Sequence, residues 1–127
     1  EQSKVKLRNL LVLDDCISDI NLSHTMQKIF YNYRHLNISV WITSQKYTKL
    51  DARLRNNINW LILFKPRDKA TLRYLYEDRI NDITQDQYKN LINHTYQNPH
   101  DFLMINFDKN IYYRNLNPLK IKIDENK

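Results

Sequence analysis

The stretch Asn9–Cys16 reads NLLVLDDC, and it decides how the rest of the chain is interpreted. Four apolar residues, Leu10–Leu13, run directly into the adjacent carboxylates of Asp14 and Asp15. A nearly continuous apolar run is typical of a buried strand in a parallel sheet. Ligands bind beyond the carboxyl ends of such strands, so the pattern indicates a polar site at a strand end. The alternative is a surface turn, because Asp is a common turn residue.

Two more apolar runs follow the same pattern, Ile38–Thr43 (ISVWIT) and Trp60–Phe64 (WLILF). Between the first two runs, Ser18–Arg34 shows helical spacing, with Ser18 as its N-cap. Strand, helix and strand within about 30 residues make a βαβ unit. The sequence therefore predicts an α/β fold with a largely parallel sheet, flanking helices and central strands covered on both faces.

The second half of the chain predicts two helices and a hairpin. The expected elements are helices over Asp68–Arg79 and Thr84–Tyr96, then strands over Phe102–Phe107 and Ile111–Arg114. Thr84 and Gln87 form the sequence signature of a capping box. The turn Asp108–Asn110 joins the two strands into a C-terminal β-hairpin.

Composition bounds the class of protein. The 127 residues are enough for one domain, and 42% of them are hydrophobic. The chain has no glycine, although average usage would give about nine. A glycine-rich phosphate loop is therefore missing, and we expect the chain to be part of a larger protein. The single cysteine, Cys16, permits no internal disulfide and is expected to be a packing residue. With no apolar run near 20 residues and no signal peptide, we expect a soluble protein that is neither secreted nor membrane-bound.

Positive charge is concentrated in one segment. Between Lys46 and Arg73, eight basic residues face two acidic ones, which gives this segment all of the net charge of +6. A localised basic stretch favours a polyanionic partner such as nucleic acid, and a solvated basic surface is the alternative. Lys46, Lys49 and Arg53 are the predicted DNA contacts, and Tyr47 beside them is a candidate for base stacking.

The candidate catalytic residues lie at two strand ends. The second strand ends in Thr43-Ser44-Gln45, which a βαβ unit places on the same rim as the aspartates. Asp14 suits a magnesium ion bound through water, Asp15 an orienting role on the attacking water, and Gln45 a contact to that water or to the γ-phosphate. Arg34 closes the first helix and suits an arginine finger, acting in its own or a neighbouring subunit. Its alternative role is to stabilise the helix dipole.

Three blocks of the sequence, LLVLDDC, RHLNISVWITSQ and LRNNINWLILFKP, resemble the DNA-packaging ATPases of large DNA viruses and virophages. These belong to the FtsK/HerA superfamily of P-loop motors. The resemblance implies a partial RecA-like P-loop core. It also implies that Asp14 and Asp15 are the Walker B acids, that Arg34 belongs to an arginine-histidine pair and that Gln45 is a sensor. Arg55, in the element Arg55-Asn56-Asn57, is implied as a nucleotide contact.

The Walker A half of that family is absent from these residues. The resemblance thus implies that residues 1–127 are the C-terminal portion of one P-loop ATPase domain, inactive alone, with the Walker A half upstream. It implies an ATP-driven DNA translocase that packages a viral genome. The expected cofactors are ATP and Mg²⁺, and the expected partners are double-stranded DNA, further copies in a homo-oligomeric ring and a capsid protein. The expected location is the virus factory in the cytoplasm of an infected cell, or the virion.

Two other functions remain open on the sequence. One is a different P-loop DNA motor, such as a helicase or a conjugation-type ATPase. The other is a non-catalytic module for nucleic-acid binding or capsid docking that kept the fold and lost the chemistry. The missing phosphate loop and the basic segment favour this second alternative.

Overall fold

The computed structural model describes residues 7–16 and 24–121. They fall into two compact units, the first ending at Asn57 and the second beginning at Ile58. That residues 1–127 form one portion of a single P-loop domain stays a prediction. The predicted helix start at Ser18 lies outside the described residues.

The first unit is the predicted βαβ arrangement. Its strands are β1 (Asn9–Asp14) and β2 (Ile38–Thr43), and helix α1 (His24–Leu36) lies between them in the chain. β1 and β2 pair in parallel, so that Asp14 lies opposite Thr43. A 3₁₀ turn (Tyr47–Lys49) and helix α2 (Ala52–Asn57) complete the unit. Its buried apolar residues are Phe30, Tyr47, Leu50 and Leu54.

The second unit is built around an antiparallel sheet. Strands β3 (Trp60–Phe64), β4 (Phe102–Asn106), β5 (Ile111–Arg114) and β6 (Asn117–Pro118) lie in this order across the sheet. Helices α3 (Lys69–Arg79) and α4 (Gln85–Thr95) connect β3 to β4. The core contains the fully buried side chains Leu75, Leu103 and Ile105. The capping box of Thr84 and Gln87 and the β4–β5 hairpin are confirmed.

The α/β class is confirmed, but fewer strands pair in parallel than the sequence predicts. Among the described strands only β1 and β2 are parallel, whereas β3 runs antiparallel to β4. The number of helices between the paired strands explains why β2 is parallel to β1 and β4 is antiparallel to β3. One helix between two strands brings the chain back to its starting end, as in a βαβ unit. Two successive helices leave the chain at the opposite end, so that β4 enters the sheet in the reverse direction.

The expectation of strands covered on both faces is wrong for the described residues. Along β3, Leu61 and Leu63 point inward, whereas Trp60, Ile62 and Phe64 remain 50%, 57% and 57% exposed. We call these three exposed side chains the β3 face. Trp60 packs against Tyr113 at a ring-centroid distance of 6.0 Å, and Phe64 packs against Phe102 at 5.5 Å. The apolar run thus contributes two leucines to the core and three exposed side chains to the β3 face.

Turns that usually need glycine are formed here by other residues. Within the described chain, five residues have a positive φ: Asp15, Asn37, His100, Asn110 and Asn115. Asn, Asp and His are the non-glycine residues most often found in the left-handed region. A glycine-free chain can therefore still make the tight turns that this fold requires.

Asp101 holds the end of the second sheet together. Its carboxylate accepts hydrogen bonds from the backbone N–H groups of Gln97 and Asn98, from Nη2 of Arg114 and from Nδ2 of Asn115, over 2.8–3.2 Å. The side-chain bond from Asn115, the backbone bond from Asn98 and the charge of Arg114 lower the pKa of Asp101 to about 2. Only 7% of Asp101 is exposed, so these bonds replace water around its charge.

This lowered pKa predicts a loss of stability in acid. The folded-state pKa of Asp101 lies below the usual value of 3.8. Its contribution to the free energy of unfolding is therefore complete above the unfolded-state pKa and is lost as the pH falls towards about 2. Asp101→Asn should lower the urea midpoint above about pH 5 and should reduce its further fall between about pH 4 and pH 2. The exposed Asp86→Asn is the matched control. An unchanged pH profile in Asp101→Asn would contradict this role.

Candidate functional site

The two predicted aspartates end β1 together. Asp14 is the last residue of the strand, and Asp15 follows it with φ at 50°. The Asp15 N–H donates to both the carbonyl and the hydroxyl oxygen of Thr43, at 3.2 Å each. The Thr43 hydroxyl in turn donates to the Asp14 carboxylate. The parallel register therefore joins both aspartates to the end of β2.

Gln45 completes a polar group that we call the rim cluster, made of Asp14, Asp15, Thr43 and Gln45. Its Nε2 donates to Oδ2 of Asp15 at 3.3 Å. All four residues are exposed, so the cluster is open to a ligand. The geometric prediction that the aspartates and Gln45 share one rim is confirmed. The function of each side chain stays a prediction.

The carboxylate oxygens of the rim cluster are suitable ligands for a magnesium ion that accompanies a nucleotide. Magnesium is usually bound by one or two carboxylates together with waters and substrate phosphates. Asp14 and Asp15 supply such carboxylates at an exposed strand end. Among the described residues, no group of three or more His, Cys, Asp or Glu side chains could hold a metal ion by itself. Water and phosphate oxygens would therefore have to complete the coordination.

Arg34 lies at the other end of this unit. It is in the last turn of α1, and only Asn37 separates α1 from the start of β2. The rim cluster lies at the far end of β2, a six-residue strand about 17 Å long. Arg34 Nε donates to the Tyr33 hydroxyl at 3.0 Å. The structure therefore does not bring Arg34 to the rim of its own subunit.

The three predicted DNA contacts lie just beyond the rim cluster. Lys46, Lys49 and Arg53 are all exposed. Lys46 precedes the 3₁₀ turn and Lys49 is its last residue, whereas Arg53 makes two hydrogen bonds to the Asp51 carboxylate, at 3.1 and 3.3 Å. Bonding to Arg53 lowers the pKa of Asp51, so Asp51 stays charged and offsets Arg53. The two lysines are thus the stronger candidates for phosphate contacts.

Tyr47 and Arg55 have contacts that the sequence did not reveal. Tyr47 is only 6% exposed, so the candidate role in base stacking is wrong. The Arg55 guanidinium lies 5.5 Å from the centroid of the Tyr47 ring, and its Nη1 donates to the Leu50 carbonyl at 3.3 Å. These contacts do not bear on the nucleotide, and a nucleotide contact by Arg55 stays a prediction. The hydrogen bonds of the Thr43 hydroxyl were also missed, because the predicted runs Leu10–Leu13 and Ile38–Thr43 do not fix the register that places Asp14 opposite Thr43.

Comparison with known proteins identifies the family. Residues 1–106 match the family described as "Poxvirus A32 protein". No curated protein sequence matches the chain. Within the described residues, no helix has the length and apolar character needed to cross a membrane.

Solved structures of viral packaging proteins share the fold. The genome packaging NTPase B204 of Sulfolobus turreted icosahedral virus 2, in complex with AMPPCP, matches with a TM-score of 0.66 and 13% identity over 87% of this chain and 53% of that one. Its ATP-gammaS complex matches with a TM-score of 0.65 and 13% identity over 87% and 52%. The DNA-packaging ATPase B204 of Sulfolobus turreted icosahedral virus gives 0.66 and 12% over 85% and 51%. The chain thus spans about half the length of these structures.

These matches agree with the three sequence blocks, the first two of which contain the rim cluster. The likeness to the B204 structures shows a shared fold, and the resemblance to viral DNA-packaging ATPases is confirmed. Because the family match covers both strands of the rim cluster and continues through β4, the chain belongs to the Poxvirus A32 protein family.

Proposed function

We propose that this chain is the C-terminal portion of an ATP-driven DNA translocase that packages a viral genome into a capsid. The rim cluster is the observation that carries the proposal, since it gathers two carboxylates, a hydroxyl and an amide at the ends of paired parallel strands. Membership of the Poxvirus A32 protein family and the fold shared with packaging NTPases support it. So do the nucleotide complexes of B204.

Each member of the rim cluster has a separate task in this proposal. Asp14 holds magnesium through water, and Thr43 holds the Asp14 carboxylate in place through its hydroxyl. When bound, magnesium neutralises charge on the phosphates. Asp15 orients the attacking water and accepts its proton. Gln45, which already donates to Asp15, contacts the same water or the γ-phosphate. Arg55 is retained as a predicted nucleotide contact.

The position of Arg34 favours a homo-oligomeric ring. An arginine finger stabilises the negative charge that develops on the transferred phosphoryl group. Since Arg34 and its own rim cluster lie at opposite ends of β2, a strand about 17 Å long, Arg34 as an arginine finger would serve the site of a neighbouring copy. In such a ring the exposed lysines Lys46 and Lys49, with Arg53, contact the phosphates of double-stranded DNA. A capsid protein as docking partner and a location in the virus factory or virion complete the proposal.

ATPase assays with and without an upstream half test the proposal. The 127 residues contain no glycine, and so they lack the backbone amides and lysine of a glycine-rich phosphate loop. We expect no measurable ATP hydrolysis by this chain alone. Joined to the P-loop half of a Poxvirus A32 family protein, it should show magnesium-dependent hydrolysis. A folded joined protein that binds DNA without hydrolysing ATP would instead support the non-catalytic module.

A further inference from the structure

A short segment connects the rim cluster to the predicted DNA contacts. We call residues 44–55 the rim segment. It contains Gln45, which contacts Asp15, and Lys46 is the next residue of the segment. Both Gln45 and Lys46 are exposed, whereas the next residue, Tyr47, is buried. One side chain thus anchors the point at which the catalytic and DNA-binding residues meet.

Tyr47 is held firmly by its surroundings. Leu50 and Leu54 of the rim segment are also buried, at 8% and 5% exposure. The Arg55 guanidinium lies over the ring of Tyr47, 5.5 Å from its centroid, and donates to the Leu50 carbonyl. Arg55 therefore ties the end of the rim segment back to its anchor.

Hydrogen bonds hold the residues of the turn around Tyr47 together. The Ser44 hydroxyl donates to the Lys46 carbonyl at 3.0 Å and accepts from the Lys46 N–H at 3.1 Å. The Lys49 N–H donates to the Lys46 carbonyl, and the Leu50 N–H donates to the Tyr47 carbonyl. Lys46 and Lys49 are thereby fixed to the same turn as Tyr47. Gln45 directly precedes this turn in the chain.

We propose that Tyr47, supported by Arg55, is a positioning residue that couples DNA contact at Lys46 and Lys49 to the contact between Gln45 and Asp15. This inference rests on the proposed function. When backbone phosphates bind the lysines, the turn shifts about its buried anchor and Gln45 moves with it. ATP hydrolysis is then stimulated by duplex DNA of any sequence, because phosphates carry no base information.

The test measures ATP hydrolysis by the joined protein with and without mixed-sequence duplex DNA. We expect DNA to raise the rate by roughly fivefold or more, the usual scale of coupling between two sites. Tyr47→Leu should lose most of the stimulation, measured as the ratio of its rates with and without DNA. Tyr47→Phe keeps the ring and should behave like the unsubstituted protein. Tyr74→Leu, a change of the same kind at a more exposed tyrosine in α3, is the matched control.

The salt dependence of DNA binding separates coupling from simple damage. Because Lys46 and Lys49 are still present in Tyr47→Leu, its log–log salt slope should equal that of the unsubstituted protein. Full stimulation in Tyr47→Leu would overturn the coupling and leave the proposed function standing. If the unsubstituted joined protein neither binds DNA nor hydrolyses ATP, the proposed function fails, and the coupling fails with it.

A second measurement does not depend on how well Tyr47→Leu folds. In the unsubstituted protein, the NMR signal of the Gln45 side-chain amide should shift when duplex DNA is added. The signals of Gln85 and Gln97, exposed glutamines in the second unit, are the internal reference. A Gln45 signal that stays constant while DNA is bound would overturn the proposal.

Discussion

In the joined protein, Asp15→Asn should lower ATP turnover by about 10²–10⁴-fold, the usual contribution of a general base. The substitution keeps the size of the side chain and an oxygen that can accept from Gln45 Nε2, as the carboxylate does now. It removes the negative charge and the ability to take a proton from water. Binding of ATP should remain nearly unchanged, because phosphate affinity comes mainly from the upstream loop. Single-turnover kinetics and equilibrium nucleotide binding would measure the two effects separately.

Asp86→Asn is the control for this experiment, since Asp86 is an exposed aspartate in the first turn of α4. It should hydrolyse ATP at the unsubstituted rate. Normal turnover in Asp15→Asn would show that Asp15 does not activate the water. A loss of ATP binding in Asp15→Asn would instead assign its carboxylate to the metal or to the phosphates.

Replacement of Lys46, Lys49 and Arg53 by alanine should weaken DNA binding similarly on every sequence. Each neutralised phosphate contributes about 0.9 to the log–log salt slope, so the triple variant should flatten the slope by about two to three units. The lower end of this range applies if the ion pair with Asp51 keeps Arg53 from a phosphate. Binding titrations over a series of salt concentrations, on duplexes of different base composition, would measure both effects.

The matched control removes three positive charges elsewhere. Lys28, Lys89 and Lys109 are exposed and lie outside the basic segment. Their replacement by alanine lowers the net charge by the same amount and should leave most of the slope intact. An unchanged slope in the Lys46, Lys49 and Arg53 variant would return these residues to a solvated surface or a protein-docking face. If both triple variants reduced the salt slope equally, the reduction would come from the lower net charge alone.

The local elements could be predicted because their signals are local. The apolar run before Asp14, the single-helix connection to β2 and the capping residues at Thr84 and Gln87 each require only neighbouring residues. The shared rim followed from one physical rule, that parallel strands end at the same edge of a sheet. Two strand ends were therefore enough to predict where Gln45 would meet the aspartates.

Other features depend on partners that periodicity does not encode. An apolar run such as Trp60–Phe64 does not reveal which strand pairs with it, so the antiparallel order of the second unit was missed. The same run cannot show that one of its faces is left open. The burial of Tyr47 was missed because it lies in a basic, polar stretch, in which the other buried residues, Leu50 and Leu54, are isolated leucines. The distance of Arg34 from the rim follows from strand direction and could have been deduced.

The β3 face has a consequence for how such a chain survives in a cell. Among the described strands, none pairs with the outer edge of β3, and its aromatic side chains are exposed beside that edge. An open edge next to a large apolar surface is a template for aggregation. Made without a polypeptide to cover it, the second unit would be a substrate for chaperones and proteases. Its abundance would then depend on whether another polypeptide covers the β3 face.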